Sequence, residues 1–344
     1  MRGLGFREHG GLDRVELLDL PEPTAGPGQV KVRMRSASFN RLDLFTLEGM
    51  PGVTVPLPHI LGGDGAGVVE SVGEGVEGWR VGANVIVDPS LSDGTCEACR
   101  AGLEPFCRNY QILGEHRDGT AAEFCVVPAE NLQPLPPSLD FVQGGCVSLV
   151  FMTAYRALLT TGGLQPGEQV AIVGGGGGLN TAAIQIARWR GAQVVVATRS
   201  EEHAEKAAKL GAHQTLVYGP EKPLDRGLWT LSGKKGVDVV FDCNGTATVP
   251  SSARALARGG RLVFCGGTSG PMVTVDLRPL FWRQASLRGS TMATRAEYRE
   301  VLKLLASGAL QPVVDSTYPL ERGRDALEHL AKGSPFGKVV LTIP

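Results

Sequence analysis

The sequence predicts an α/β protein, a doubly wound parallel sheet joined to a small antiparallel β-barrel domain, and three observations carry that prediction. Five consecutive glycines, Gly174 to Gly178, separate the apolar run QVAIV (169–173) from the helical run LNTAAIQIARWR (179–190), and the β-rich run QVVVAT follows at 193–198. From about Pro134 onward, candidate strands alternate with helical stretches, the pattern of a parallel sheet covered on both faces. Residues 1–133 read instead as short alternating strands broken by Gly and Pro, which suits an antiparallel barrel.

Taken in order, the first region offers QVKVRMRSAS (29–38), GAGVVESVG (65–73), ANVIVDP (83–89) and AEFCVVP (122–128) as strands. The apolar stretch CVSLVFMTAYRALLTTG is expected to be helical and to lead into QVAIV, QVVVAT, QTLVY, VDVVFD (237–242), RLVFCG (261–266) and ASLRGS (285–290). EEHAEKAAKLG and TVPSSARALARGG read as the helices between them. The tail adds helix AEYREVLKLLASG, strand DSTYPL, helix GRDALEHLAKG and a last strand, GKVVLTIP. These boundaries predict domains over 1–133, 134–290 and 291–344.

A chain of 344 residues, 42% apolar and 20% charged, is long enough for two packed domains. A net charge of −1 and a pI near 6.6 give no basis for nucleic-acid or polybasic membrane binding. The opening MRGLGFREHG has no hydrophobic stretch, so no signal peptide is expected, and no apolar run approaches the roughly 20 residues that cross a bilayer. Seven cysteines then point to a reducing compartment, the cytoplasm, and to metal-bound or buried thiols.

The strand–glycine turn–helix unit is built to hold a dinucleotide pyrophosphate. The first backbone N–H groups of a helix lack intrahelical partners, and the missing Cβ atoms let phosphate oxygens approach them. Gly174, Gly175, Gly177, Gly178 and Leu179 are the expected contacts. Asn180 occupies the third position of the glycine pattern, where a bulkier side chain is expected to hold the helix slightly further from the sheet. Near the end of the next strand, an NAD-preferring unit offers a carboxylate to the ribose; this chain offers Thr198, Arg199 and Ser200. A guanidinium with two hydroxyls suits a 2′-phosphate, so NADP(H) is expected over NAD(H).

The order of GGDGAGVVESVGEGV (62–76), the cysteine lobe, GGGGGLNTAAIQIA and the terminal FGKVVL resembles the medium-chain dehydrogenase/reductase superfamily over essentially the whole chain. The resemblance implies a GroES-like barrel completed by the C-terminal tail, with a Rossmann nucleotide domain inserted. It also implies an active site in the cleft between domains and a homodimer or homotetramer joined through ASLRGS. In the zinc-dependent alcohol dehydrogenases of that superfamily, catalytic ligands fall on positions held here by Asn40, Gly63 and Leu149, and a relay hydroxyl falls on Leu42. Those side chains cannot form a three-ligand open zinc site. His59, His116, Asp43 and Asp64 remain as substitute ligands for a metal, although their spacing picks out no particular site.

Asn40 and Asp43, in an Asn-x-x-Asp pattern, resemble the zinc-free quinone-oxidoreductase-like branch, in which the amide orients the substrate oxygen or the nicotinamide edge. The alternative is a loop asparagine beside a solvated aspartate. Asp93, Cys96, Cys99 and Cys107 match the lobe that binds a structural zinc in the family, with Asp93 in place of a cysteine. Cys125, Cys146, Cys243 and Cys265 read as core. Thr153, Ser290 and Met292 match positions lining the nicotinamide, and Gly266 and Gly267 complete the expected cofactor contacts.

The function implied is an NADPH-dependent reductase of quinones or α,β-unsaturated carbonyls, working without a catalytic zinc, with Asn40 and Asp43 as the catalytic candidates. Tyr110 and Tyr155 are conceivable proton donors, as is solvent. Two alternatives stand beside it: a zinc alcohol dehydrogenase with unusual ligands, and an NADPH-binding or redox-sensing protein without turnover.

Overall fold

Runs of Val, Ile and Ala too apolar for any solvated face build the sheet that carries the glycine turn. In the computed structural model, which describes residues 1–333 and 335–344, six strands pair in parallel. Their order across the sheet is Gln214–Val217, Gln193–Thr198, Gln169–Val173, Val237–Asp242, Leu256–Phe264 and Ser286–Gly289. The two strands flanking the first crossover, Gln169–Val173 and Gln193–Thr198, run as the alternating sequence predicts. Val170, Ile172, Val194 and Val196 are wholly buried, as strands covered on both faces require. Helix Gly177–Trp189 buries Ala182, Ala183 and Ile186.

TVPSSARALARGG, expected to be one helix, is helical only over Val249–Arg254. Its second half joins strand Leu256–Phe264 through an irregularity opposite Val237 to Val239. Gly259, at φ +69°, takes a conformation that a helix cannot use. The stretch after Pro134 forms helix Ser148–Tyr155, continued by a π-helical turn over Arg156–Thr161. The Arg261 guanidinium closes that end, donating to the carbonyls of Gly162 (2.8 Å) and Gly163 (3.1 Å) while pairing with Glu168 at 2.7 Å.

In the barrel unit, Gln29–Ser38 is the central strand. One edge pairs with Asp64–Val72; the other pairs with Phe124–Pro128 along its first half and with the C-terminal strand Lys338–Thr342 along its second. The tail thus completes a sheet begun some 300 residues earlier, antiparallel, with Val340 opposite Ser38. Phe6, Val32, Phe39, Leu47, Ile60 and Leu341 are buried in its core.

The chain divides into two units, residues 1–150 with 294–344, and residues 151–293. The first unit therefore extends past residue 133, to Val150, and resumes at Thr294. Residues 134–150 belong to the barrel because its strands hold them: the Ser36 hydroxyl donates to Phe141 O, Ser38 to Gly145 O (2.7 Å), and Ser148 to Val87 O (2.7 Å). No helix among the described residues is long and apolar enough to cross a membrane.

Candidate functional site

The barrel unit buries a cluster of charged and polar side chains where the central strand ends. Asn40 stands in extended backbone at the N-terminus of helix Arg41–Glu48. Three residues on, Asp43 reaches back: its Oδ2 accepts the Asn40 N–H at 2.7 Å and its Oδ1 accepts the Gly62 N–H at 2.7 Å. Gly62 adopts φ +97°, and a Cβ there would meet the Thr120 hydroxyl at 2.9 Å, so the turn requires glycine. Asp43 is only 2% exposed and is not a solvated loop residue. Burial pushes its carboxyl up to about 6, against the pull of the two N–H donors.

Asp64 is fully buried at the centre of the cluster. Its Oδ1 accepts the Leu149 N–H at 2.6 Å, and its Oδ2 accepts from Asn40 Nδ2 at 2.9 Å and from Lys338 Nζ at 2.8 Å. Lys338 also donates to Asn40 Oδ1 at 2.6 Å. A Cβ on Gly63 would lie 3.4 Å from Leu149 Cδ1. The structure therefore gathers Asn40, Gly63 and Leu149 into one place and sets an Asp–Lys pair among them. Lys338 was not anticipated as a site residue. Its signal was a lone charge at the head of an otherwise apolar strand, KVVL, which demands a buried partner.

The histidines lie elsewhere. His59 is fully buried, donating from Nε2 to Gly114 O (3.2 Å), and burial lowers its pKa; His116 Nδ1 accepts the Ile112 N–H at 3.2 Å. Among the described residues, the group able to hold a metal is Asp93, Cys96, Cys99 and Cys107, whose ligand atoms all lie within 4.8 Å of one another. Asp93 Oδ1 accepts the N–H groups of Thr95 and Cys96, both at 2.9 Å, and Cys107 Sγ accepts those of Asp93 (3.5 Å) and Asn109 (3.4 Å). Thiolates in a tetrahedral zinc shell sit roughly 3.8 Å apart for 2.3 Å bonds, and Cys96 and Cys99 are 3.5 Å apart. The donor set and its spacing fit a closed four-ligand zinc.

In the unit of residues 151–293, Thr153 lies on helix Ser148–Tyr155, and the other expected cofactor residues fall at or after the carboxyl ends of the parallel strands. That rim is where open α/β sheets bind ligands. Gly174 has φ +98° and donates to Ala197 O at 2.7 Å. The Asn180 amide nitrogen lies 2.8 Å from where a Gly174 Cβ would be, so the missing side chain makes room for the asparagine. A Cβ on Gly175 would touch Thr198 Cβ at 3.0 Å. Gly177, Gly178, Leu179 and Asn180 form the first turn of helix Gly177–Trp189. Ser200 caps the next helix, its hydroxyl accepting the His203 N–H at 3.2 Å, while Arg199 beside it is exposed.

Gly266 and Gly267 follow strand Leu256–Phe264. Thr153 donates to Met292 Sδ at 3.6 Å, and Met292 holds a left-handed φ of +45°, rare for such a residue. The Ser290 hydroxyl accepts from Thr161 at 3.1 Å. Cys125 and Cys146 are buried, but Cys243 and Cys265 are not core. They are half-buried at neighbouring strand ends with sulfurs 3.1 Å apart, and the Cys243 thiol, with burial, raises the pKa of Cys265 well above its usual value.

Comparison with known proteins follows the same two-part division. The alcohol dehydrogenase GroES-like domain family matches residues 26–137, and the zinc-binding dehydrogenase family matches residues 178–307. The zinc-type alcohol dehydrogenase-like protein of Schizosaccharomyces pombe is 30% identical, over 98% of this chain and 97% of the relative. The acryloyl-coenzyme A reductase of Metallosphaera sedula is 32% identical, over 95% and 96%. A solved NAD-dependent alcohol dehydrogenase superposes with a TM-score of 0.96 at 40% identity, covering all of both chains. Similarity of this kind runs the full length of the barrel, the inserted parallel sheet and the returning tail, and the chain belongs to the medium-chain dehydrogenase/reductase superfamily of oxidoreductases.

Proposed function

We propose that the protein is an NADPH-dependent reductase of quinones or α,β-unsaturated carbonyls that works without a catalytic zinc. The observation that carries this reading is the Lys338–Asn40–Asp64 cluster. Asn40 Oδ1 and Asp64 Oδ2 already accept from an ammonium, Gly63 has no side chain, and Leu149 offers only an alkyl group. These residues do not fit a divalent metal, which the Lys338 charge would repel. The likeness to an acryloyl-coenzyme A reductase supports an activated alkene as substrate.

A reduced nicotinamide, when bound, supplies a hydride to an electrophilic carbon. The glycine turn and the first turn of helix Gly177–Trp189 would hold its pyrophosphate through backbone N–H groups, and Arg199 would pair with the 2′-phosphate. Thr153, Ser290 and Met292 would line its ring. Asn40 donates a hydrogen bond to the substrate oxygen as negative charge gathers there; a donor so placed contributes about 3 kcal/mol to lowering the barrier. Solvent returns a proton to the enolate. Asp43 fixes the Asn40 backbone and the Gly62 turn, so it supports the donor without touching substrate.

A structural zinc in the Asp93–Cys107 lobe, a cytoplasmic location and a homodimer complete the proposal. Edge strand Ser286–Gly289 leaves Leu287 39% exposed, and the adjoining helix Leu277–Arg283 leaves Phe281 and Trp282 67% and 70% exposed. Apolar side chains of that size on a sheet edge suit a partner surface.

NADPH oxidation measured with 1,2-naphthoquinone and simple enones, before and after dialysis against a chelator, tests the reading. Turnover that survives chelation supports it; saturable NADPH binding with no acceptor reduced refutes it. The 40% identity to a NAD-dependent alcohol dehydrogenase favours a second reading, alcohol oxidation with NAD+. Chelator-sensitive oxidation of simple alcohols would select that reading instead.

A further inference from the structure

We propose that Lys338 and Asp64 are positioning residues that hold the Asn40 amide in the one orientation able to donate to a substrate oxygen. The inference rests on the reading of Asn40 as the oxyanion donor. A side-chain amide presents nearly the same shape when turned by half a revolution, and only its neighbours decide which end faces which way. Here both neighbours are charged and of opposite sign. Lys338 Nζ, a pure donor, stands 2.6 Å from one end, which must therefore be the oxygen. Asp64 Oδ2, an acceptor, stands 2.9 Å from the other, which must be the NH2 group. A flipped amide would set donor against ammonium and oxygen against carboxylate.

The charged pair is itself immobile. Lys338 is 3% exposed and Asp64 0%. Asp64 is pinned by the Leu149 N–H at 2.6 Å, and its carbonyl by the Thr120 hydroxyl at 2.6 Å; the Asn40 backbone is pinned by Asp43. Asn40, at 9% exposure, is the most accessible of the three. Asp64 uses one amide hydrogen, and the second has no partner among the described residues. The ammonium on Oδ1 also draws electron density through the amide and strengthens the remaining N–H as a donor. Lys338 thus delivers part of the effect of a cation to the substrate oxygen without touching it.

A double-mutant cycle tests this, using Asn40→Ala, Lys338→Met, the combination and Lys338→Arg, with kcat for an enone and KM for NADPH as readouts. Asn40→Ala is expected to lower kcat by about 10²–10³-fold. Lys338→Met should cause a loss of the same order, with the combination within about threefold of Asn40→Ala alone, because residues acting as a unit are not additive. KM for NADPH should stay within about twofold throughout, and Lys338→Arg should recover part of kcat. If Lys338→Met does not fold, Asp64→Asn keeps the shape while releasing the lock; its loss of kcat should likewise vanish in the Asn40→Ala background. Multiplying losses, or wild-type kcat in Lys338→Met or in Asp64→Asn, overturns the inference while leaving the reductase reading intact. A wild-type protein that reduces no enone or quinone overturns both.

Discussion

Lys338 and Asn40 lie 298 positions apart in the chain, and their side chains meet at 2.6 Å in the interior of the barrel unit. The C-terminal strand brings them there. It pairs antiparallel with Gln29–Ser38, Val340 opposite Ser38, so its first residue arrives beside the turn that follows the central strand. A charge so buried is stable only with partners, and Asp64 and Asn40 are those partners.

Stability should register that pairing. Lys338→Ala or Asp64→Ala leaves one buried charge uncompensated and is expected to cost about 3–5 kcal/mol. The paired replacement Lys338→Met with Asp64→Leu should cost less than the sum of the single changes. Thermal and denaturant unfolding monitored by circular dichroism measures both.

The cysteine lobe makes a metal-content prediction. Purified protein should carry about one zinc per chain by emission spectroscopy, and Cys107→Ser should lose most of it together with several degrees of Tm. The Lys338→Arg variant, altered far from the lobe in sequence and outside the four ligands, should keep its zinc. A metal-free protein with an unchanged melting curve would remove the assignment.

Glu115 offers a pH-dependent test. Burial, aided by the Asp43 charge, pushes its carboxyl up to about 7. The folded state then holds this proton more tightly than the unfolded chain, so the stabilisation is complete below the unfolded pKa and is lost as pH rises through about 7. Glu115→Gln removes the titration. Wild-type Tm minus variant Tm should therefore fall between pH 5 and pH 8.5. Asp43 and Asp88, pushed up to about 6 by burial, titrate in both proteins and cancel to first order.

In the proposed reading, cofactor choice falls to Arg199, exposed beside the cap at Ser200. Arg199→Ala should raise KM for NADPH roughly tenfold, the worth of one charge-assisted contact, while KM for NADH changes little. An unchanged NADPH preference would mean that the guanidinium only decorates the surface.

Association through the sheet edge is tested by Trp282→Glu, which puts a charge into the exposed apolar patch. Wild-type protein should elute at dimer mass or larger by light scattering, and the variant should shift toward monomer without loss of secondary structure.

Much of the architecture could be read from the chain because the signals are local. Alternation set strand Gln29–Ser38, continuous Val and Ile runs set Gln169–Val173 and Gln193–Thr198, and the glycine run marked the turn between strand and helix. The four metal-binding candidates of the lobe lie within fifteen residues, so spacing alone grouped them. Reading failed where long-range contact decides. The barrel unit keeps residues 134–150 because Ser36, Ser38 and Ser148 bond across it, and no composition change marks that choice. Cys243 and Cys265 looked like core until parallel pairing set their sulfurs side by side at an accessible rim.

Local pattern in the chain marked most of the strands and helices, the glycine turn between Gln169–Val173 and the helix that follows it, and the lack of metal-ligating side chains at Asn40, Gly63 and Leu149. Only the tertiary structure decided what stands among them. Hydrophobic periodicity reports the face a residue turns to the core, but a buried charge is defined by the partner it finds. Lys338 finds Asp64 and Asn40 only because the last strand pairs with Gln29–Ser38, some 300 residues earlier in the chain.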